Sequence, residues 1–187
     1  MTNIGIILGS TRPGRVGHQV AEWVAKHGSR HDGIDVEVVD IKDYDLPLFD
    51  EPQSPLLGSY IHPHTWSWSK KIAEFDGYVF VTPEYNRSIP SALKNAIDYL
   101  YSEWNNKAAG FVSYGSSVGG ARAVEHLRLI TAGLQLAGVR TQVSLSLATD
   151  FTAFTTFTPG DRHNTTLRQL FTEVTVWAEA LAPLRRP

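Results

Sequence analysis

Residues 9–17, Gly9-Ser10-Thr11-Arg12-Pro13-Gly14-Arg15-Val16-Gly17, follow directly on the apolar run Ile4-Gly5-Ile6-Ile7-Leu8. The chemistry these residue types support is anion binding. A strand feeding a helix N-terminus brings unpaired backbone N–H groups and the positive end of the helix dipole to one spot. Gly9 and Gly14 let the backbone bend close to a phosphate, Ser10 and Thr11 add hydroxyl donors, and Arg12 and Arg15 add guanidinium forks matched to phosphate oxygens. The spacing Gly9-x-x-x-x-Gly14 is that of a Walker A loop, yet Arg15-Val16 stands where that loop needs Lys and Ser or Thr for the terminal phosphates and magnesium. A nucleotide triphosphatase is thereby disfavoured. The dinucleotide fingerprint G-x-G-x-x-G is also missing, with only Gly14-x-x-Gly17 fitting its second half, although Asp40 lies near the end of the second strand. The segment reads as a cradle for one phosphate of a cofactor.

The elements that must position this cradle alternate along the chain. After the first strand, Val16, Val20, Trp23, Val24 and His27 recur at helical spacing and Gly28 offers a stop. Ile34 to Asp40 reads as a second strand. Residues 41–65 hold Pro47, Pro52, Pro55 and Pro63 and read as a long irregular connection, and a short helix follows around Trp66 to Phe75. Gly77 to Thr82 is nearly all apolar, as a central strand should be. Pro90 suits the first turn of a helix with Leu93, Ala96, Ile97, Leu100 and Tyr101 on one face. Ala108 to Tyr114 is a fourth strand, and Gly115-Ser116-Ser117-Val118-Gly119-Gly120 opens a helix carrying Ala123, Leu127, Ile130 and Leu134. Val139 to Leu147 is a fifth strand, and Leu167, Leu170, Phe171, Val174, Trp177 and Leu181 mark a final buried stripe.

Strands alternating with helices imply a parallel sheet wrapped on both faces, since parallel neighbours need right-handed crossovers. The expected fold is α/β, a three-layer α/β/α sandwich on a five-stranded parallel sheet of order 2-1-3-4-5, formed by residues 1–187 as a single domain. In that order ligands sit beyond the carboxyl ends of the strands, at the switch point between the first and third. The loops to inspect thus follow residues 8, 82 and 114.

Composition sets the limits. The 187 residues are 42% hydrophobic and 19% charged, as in ordinary globular chains, with looseness expected only at Leu184-Arg185-Arg186-Pro187. A net charge of −2 gives no electrostatic case for nucleic acid or an anionic membrane. With no cysteine, disulfide and thiol chemistry are excluded, which suits a cytoplasmic protein. The opening apolar run lacks the flanks of a signal peptide, and no stretch is long enough to cross a bilayer. His62-Pro63-His64 has no evident third metal ligand and reads as a surface or subunit contact. Lys70-Lys71 and Arg185-Arg186 read as solvated charge, and Trp66, Trp68 and Trp104 as candidates for an oligomer interface or a substrate wall.

The second loop, Thr82-Pro83-Glu84-Tyr85-Asn86-Arg87-Ser88-Ile89-Pro90, is stiffened by two prolines, offers the flat face of Tyr85, and brings the hydrogen-bonding groups of Glu84 and Asn86 to the sheet edge. The third, Tyr114 to Gly120, lets backbone approach a ring closely. One loop suits phosphate and two suit a planar heteroaromatic ring. Gly9 to Arg15, Pro83 to Asp98 and Tyr114-Gly115-x-x-x-Gly119-Gly120-Ala121-Arg122 together resemble the NAD(P)H-dependent FMN reductases of flavodoxin-like fold, a family that includes quinone, azo and chromate reductases. The second block is the most specific of the three, and the general pattern runs over nearly the whole chain.

That resemblance implies FMN as cofactor and NADPH or NADH as reductant. It implies that Ser10, Arg12 and the turn Arg15-Val16-Gly17 hold the FMN phosphate, that Pro83, Glu84, Tyr85 and Asn86 border the isoalloxazine, and that Tyr114, Gly115 and Ser116 approach its pyrimidine side. Many members have Ser at the position of Arg15, Asn at Gly17 and Gly at Ser116. The implied activity is hydride transfer from nicotinamide to FMN and then to a small quinone, azo, flavin or metal acceptor by a ping-pong mechanism, with no catalytic side chain and no metal ligand required. The implied assembly is a homodimer or homotetramer with Trp104 and the 41–65 loop at its boundary. Two rivals remain. Gly115-x-Ser117-x-Gly119 matches a nucleophile elbow, with Asp161 and His163 following in hydrolase order, and a flavodoxin-like electron carrier would share the fold without turnover.

Overall fold

A computed structural model describes residues 1–185. Its main sheet has five strands in the order β2-β1-β3-β4-β5. These are β1 (Thr2–Leu8), β2 (Ile34–Asp40), β3 (Gly77–Pro83), β4 (Lys107–Gly115) and β5 (Leu136–Ser146). All four pairings are parallel, with Leu8 beside both Asp40 and Val81, and Pro83 beside Tyr114. The helices are α1 (Gly17–Gly28), α2 (Pro63–Ala73), α3 (Ser91–Asp98), α4 (Ala121–Gly133) and α5 (Arg162–Leu181).

Side chains alternate across a strand, so each central strand feeds two cores. Ile4, Ile6, Leu8, Val79, Val81 and Val112 pack with Val20 and Val24 of α1 and with Leu167, Leu170, Phe171 and Val174 of α5. Ile7, Tyr78, Phe80 and Phe111 pack with Trp68 and Ile72 of α2, Leu93 and Ile97 of α3, and Leu127 of α4. Every residue of β3 and β4 is buried, as parallel strands covered on both faces require.

The structure departs from the sequence reading in several places. Helix α2 starts at Pro63, because the Glu51 carboxylate accepts from the backbone N–H groups of Ile61 and His62 at 2.9 and 3.1 Å and so closes the helix entry three residues early. Within residues 41–65 two short 3₁₀ turns form, Ile41–Tyr44 and Pro55–Leu57, each capped by the preceding side chain, Asp40 and Ser54. Helix α3 ends at Asp98, before Leu100 and Tyr101. Trp68 and Trp104 are fully buried, their indole N–H groups donating to the carbonyls of Ala96 and Ile97, so neither lines an interface; Trp66 alone of that trio is exposed. On α5, Trp177 leaves the stripe and Ala178 takes its place in the core. A small antiparallel hairpin, β6 (Phe151–Thr152) with β7 (Thr156–Phe157), lies between β5 and α5, where the sequence reading placed no element.

Two charge readings also change. Lys71 bonds Glu37 and Glu74 at 3.1 and 2.6 Å. Arg186 and Pro187 lie outside the described residues, but Leu184 and Arg185 belong to an ordered 3₁₀ turn, Ala182–Arg185. Arg185 pairs with Asp76 at 2.8 Å and donates to the carbonyls of Asn106 and Ala178 at 3.0 and 3.1 Å. The His62 and His64 rings stack 5.1 Å apart and both face Asp50, to which Tyr99 also donates at 2.8 Å. That cluster ties the proline-rich segment to the end of α3. Among the described residues no helix is long and apolar enough to cross a membrane.

Candidate cofactor site at the carboxyl edge of the sheet

The loops after β1, β3 and β4 leave neighbouring strands at the same edge, where the order switches from β1 to β3. Helix α1 begins there with Val16 as its N-cap, without a side-chain cap and without an acid in its first turn. Its first N–H groups are thus left for an anion. Gly17 is required at the first helical position by close approach, because a Cβ there would lie 2.5 Å from the Tyr114 hydroxyl. Tyr114 is buried below, its phenol pushed above the ordinary tyrosine range first by burial and then by Tyr85, while Arg12 and Arg15 act the other way.

The two arginines of the cradle differ. Arg15 is committed inward, ion-paired to Asp40 at the end of β2 and donating to the Ser10 carbonyl. Arg12 is exposed and has no carboxylate partner among the described residues. Asp40 therefore acts as the anchor of Arg15, a role its place at the strand end only hinted at. Ser10 is fully buried, with its Oγ 2.9 Å from the Tyr85 hydroxyl, which joins the first loop to the second.

The second loop is a tight reversal. Tyr85 and Ser88 exchange both backbone hydrogen bonds at 2.9 Å, and Asn86 and Arg87 sit at φ 48° and 69°. Asn tolerates that left-handed region, whereas Arg does so at a cost of roughly 1–2 kcal/mol. Helix α4 holds the reversal in place: Arg122 donates to Glu84 at 2.7 Å, and His126, one turn further on, bonds Ser88 at 2.9 Å. The reading from sequence quoted Arg122 in the third block and gave neither it nor His126 a role at the site, although their i, i+4 spacing at the start of a helix was the available signal. The Glu84 N–H donates to the Tyr114 carbonyl at 3.0 Å, and the other Glu84 carboxylate oxygen, Oε2, is buried without a partner. In the third loop Gly115 is buried and Ser116 exposed, and Gly119 and Gly120 take φ 60° and 82° beneath α4, where any side chain would collide with Ser113, Tyr114 or Ser144. Pro83 closes β3 beside Tyr114. The structure thus gathers Ser10, Arg12, Arg15, Val16, Gly17, Pro83, Glu84, Tyr85, Asn86, Tyr114, Gly115 and Ser116 around one edge of the sheet.

The family model described as NADPH-dependent FMN reductase matches residues 2–150. The chain belongs to this family. It is 42% identical over 147 residues, 78% of this chain and 73% of the relative, to the NAD(P)H-dependent FMN reductase C4B3.06c of Schizosaccharomyces pombe. It is 37% identical over 144 residues, 71% of this chain and 75% of the relative, to the NAD(P)H-dependent FMN reductase LOT6 of Saccharomyces cerevisiae. The flavoenzyme NAD(P)H:(acceptor) oxidoreductase FerB of Paracoccus denitrificans superposes with a TM-score of 0.73 at 22% identity, covering 96% of this chain and 98% of that one, which establishes the flavodoxin-like fold. FMN reductase membership makes the chain an oxidoreductase that works with FMN and NAD(P)H.

The residues fit that cofactor class. An uncapped helix start beside Ser10 and Arg12 is a donor set for a phosphate, and the unpartnered Glu84 oxygen beside Gly115 is an acceptor waiting for an N–H. The hydrolase reading fails on geometry. His163 Nε2 faces Asp150 at 2.9 Å, Asp161 bonds Asn164, and among the described residues no serine hydroxyl reaches the His163 ring. Asp150 and His163 are both buried and anchor the β6–β7 hairpin to the start of α5, a structural task. Desolvation alone would raise the Asp150 pKa, but the Ser146 N–H and His163 hold it below the ordinary value.

Proposed function

We propose that the phosphate of FMN sits on the N-terminus of α1, bound by Ser10, Arg12 and the backbone of Arg15-Val16-Gly17, with the isoalloxazine lying between Pro83-Glu84-Tyr85-Asn86 and Tyr114-Gly115-Ser116. The observation that carries this reading is the uncapped, acid-free start of α1 placed next to the cross-linked second and third loops. Bound FMN would supply the two-electron chemistry, taking hydride from NADPH or NADH and passing it on in a ping-pong cycle to a small quinone, azo, flavin or metal acceptor.

The chain's own part is positioning. Arg12, which pairs with no carboxylate among the described residues, offers its fork to the phosphate, while the Arg15–Asp40 pair fixes the turn. The Ser10–Tyr85 hydrogen bond locks the distance between the phosphate seat and the ring wall. Backbone N–H groups of the glycine-rich turn would stabilise negative charge on the reduced ring. No side chain need act as nucleophile. Residues 1–187 would form one domain that works in the cytoplasm as a homodimer or homotetramer, and the exposed Leu48, Leu56, Leu57, Ile61 and Trp66 of the 41–66 region would supply part of the contact.

Purified protein is expected to carry or take up yellow FMN at micromolar concentration, to bleach with NADPH or NADH in the absence of air, and to recover colour with a quinone. Protein that stays colourless after mixing with FMN overturns the proposal. Ser117→Ala is expected to retain NAD(P)H-dependent quinone reduction, the opposite of what a hydrolase would do.

A further inference from the structure

A cavity of about 490 Å³ opens between the end of α1 and the first half of α5, a volume in the range of small-molecule sites. Helix α1 has 12 residues and so spans roughly 18 Å at 1.5 Å per residue, which sets this cavity apart from the proposed phosphate seat at the other end of the same helix. Gly28 shapes its floor. A Cβ there would lie 2.8 Å from the Phe171 Cζ and 2.7 Å from the Val36 Cγ1, so glycine lets the end of α1 settle onto Phe171, a ring that lines the cavity.

The charges around the cavity are one-sided. Arg30, from the turn after α1, and Arg168, from α5, both line it, and both are exposed. Arg15, Arg122, Arg162 and Arg185 each pair with a carboxylate, whereas Arg30 and Arg168 have no such partner among the described residues. His27 and His31 stand beside them, and among the described residues that line the cavity Asp32 is the one acid. The two rings are fixed in place by the protein. His27 Nδ1 donates to the Trp23 carbonyl at 2.9 Å, and His31 has Nε2 3.1 Å from the Thr172 hydroxyl and its ring 6.2 Å from Phe171. In a chain of net charge −2, two unpaired guanidinium groups on separate elements around one cavity are a local excess of positive charge.

We infer that this cavity is an anion site of its own, which takes a small multivalent oxyanion of the diphosphate class. Each guanidinium fork pairs with two oxygens of one anionic group, so two forks call for a ligand that carries two such groups. Asn164 and Thr172 add neutral hydrogen-bonding groups from α5. A ligand gripped by Arg30 and Arg168 together would clamp α1 to α5 and stabilise the fold by its own binding free energy. The inference does not depend on where the flavin sits.

The test titrates inorganic pyrophosphate into FMN-saturated protein at physiological ionic strength, where exposed charges more than about 8 Å apart are largely screened. Calorimetry reads affinity and backbone amide shifts read location. Shifts are expected at residues 27–32 and 164–172. Arg30→Ala and Arg168→Ala are each expected to weaken binding about tenfold, and Arg140→Ala, which removes an exposed arginine that does not line the cavity, to stay within about twofold of the parent. Citrate supplies the same charge as carboxylates: weaker binding of citrate than of pyrophosphate supports the diphosphate class, and tighter binding of citrate overturns it. No binding, shifts scattered over the surface, shifts confined to residues 9–17, or an equal loss in Arg140→Ala overturns the inference. Protein that takes up no FMN refutes the cofactor placement instead, and the same titration on the flavin-free protein then decides this inference by the same shifts and variants.

Discussion

Gly17→Ala probes the contact on which the phosphate seat depends. The added Cβ would lie 2.5 Å from the Tyr114 Oη, 3.0 Å from the Leu8 Cδ1 and 3.3 Å from the Tyr114 Cζ. Tyr114 cannot turn aside: it is 5% exposed, its strand lies between β3 and β5, and its ring packs against Phe151 at 6.2 Å. The start of α1 must therefore shift outward. Overpacking of this kind costs about 1–3 kcal/mol, and the gain in helix propensity from Gly to Ala returns at most about 1 kcal/mol. A net loss of about 1–2 kcal/mol should lower the melting temperature by about 2–4 °C per kcal/mol for a chain of this size. FMN affinity should fall with it, because the displaced N–H groups are those proposed to bind the phosphate. Tyr114→Phe removes the 2.5 Å contact and leaves only the 3.0 and 3.3 Å ones, so the double variant should recover about 1 kcal/mol relative to the sum of the singles. Urea unfolding and flavin titration on the four proteins of this cycle measure both quantities. A Gly17→Ala protein as stable as the parent, or a double variant showing no recovery, would refute the argument.

Arg12→Ala should weaken FMN binding by about tenfold to a hundredfold with little change in melting temperature, whereas Arg15→Ala should lower the melting temperature because it strands the partly buried Asp40; isothermal titration and thermal scans separate the two, and identical profiles would refute the division of labour. Lys107 is 5% exposed, with its Nζ held by the Ile72 carbonyl at 3.1 Å and the Tyr78 hydroxyl at 2.9 Å, and burial, aided by Arg185, lowers its pKa from 10.5 to about 8. Between pH 8 and 10 the unfolded chain then binds this proton while the folded chain does not, so Lys107 makes stability rise with pH there, by up to about 3 kcal/mol; Lys107→Met should flatten that slope in urea titrations, and an unchanged slope would count against the assignment. The Asp150 carboxyl titrates below its ordinary 3.8, so its contribution is complete above that pH and is lost as pH falls through the lower folded value. Asp150→Asn should cost about 3 kcal/mol at neutral pH and expose the β6–β7 hairpin to proteolysis; protection equal to the parent's would contradict the anchoring role.

Much of the fold was legible because its signals are local. Apolar runs such as Gly77 to Thr82 have few alternatives to a buried strand, and the order β2-β1-β3-β4-β5 follows from crossover rules once the elements are placed. What sequence missed depends on hydrogen-bond partners that lie outside the element concerned. The early start of α2 needs Glu51 to cap residues 61 and 62, and the burial of Trp104 needs the Ile97 carbonyl as its acceptor. The β6–β7 hairpin carries Ala153 and Phe154 at φ 51° and 60°, where turn preferences favour Asn and Gly, so its letters announce no turn. The hairpin is held from outside, by Gln19 bonding Thr155 and Phe157 at 2.8 and 2.9 Å and by Asp150 bonding His163.

The same distinction explains why the residue types of the site were readable but their division of roles was not. Arg12 and Arg15 look interchangeable as letters, and it is Asp40, 25 positions beyond Arg15, that turns one of them into a strut. Pairing Arg15 with a carboxylate next to an anion site lowers the positive charge offered to a phosphate, a cost unless rigidity matters more. Here it does: the Arg15–Asp40, Ser10–Tyr85 and Glu84–Arg122 bonds form a chain of polar links from the end of β2 through both loops to α4. On the proposed placement, a flavin held at fixed points along that chain would be positioned by the rigid loops themselves. Loosening any one link should therefore weaken binding of the whole cofactor while leaving the preference among acceptors unchanged.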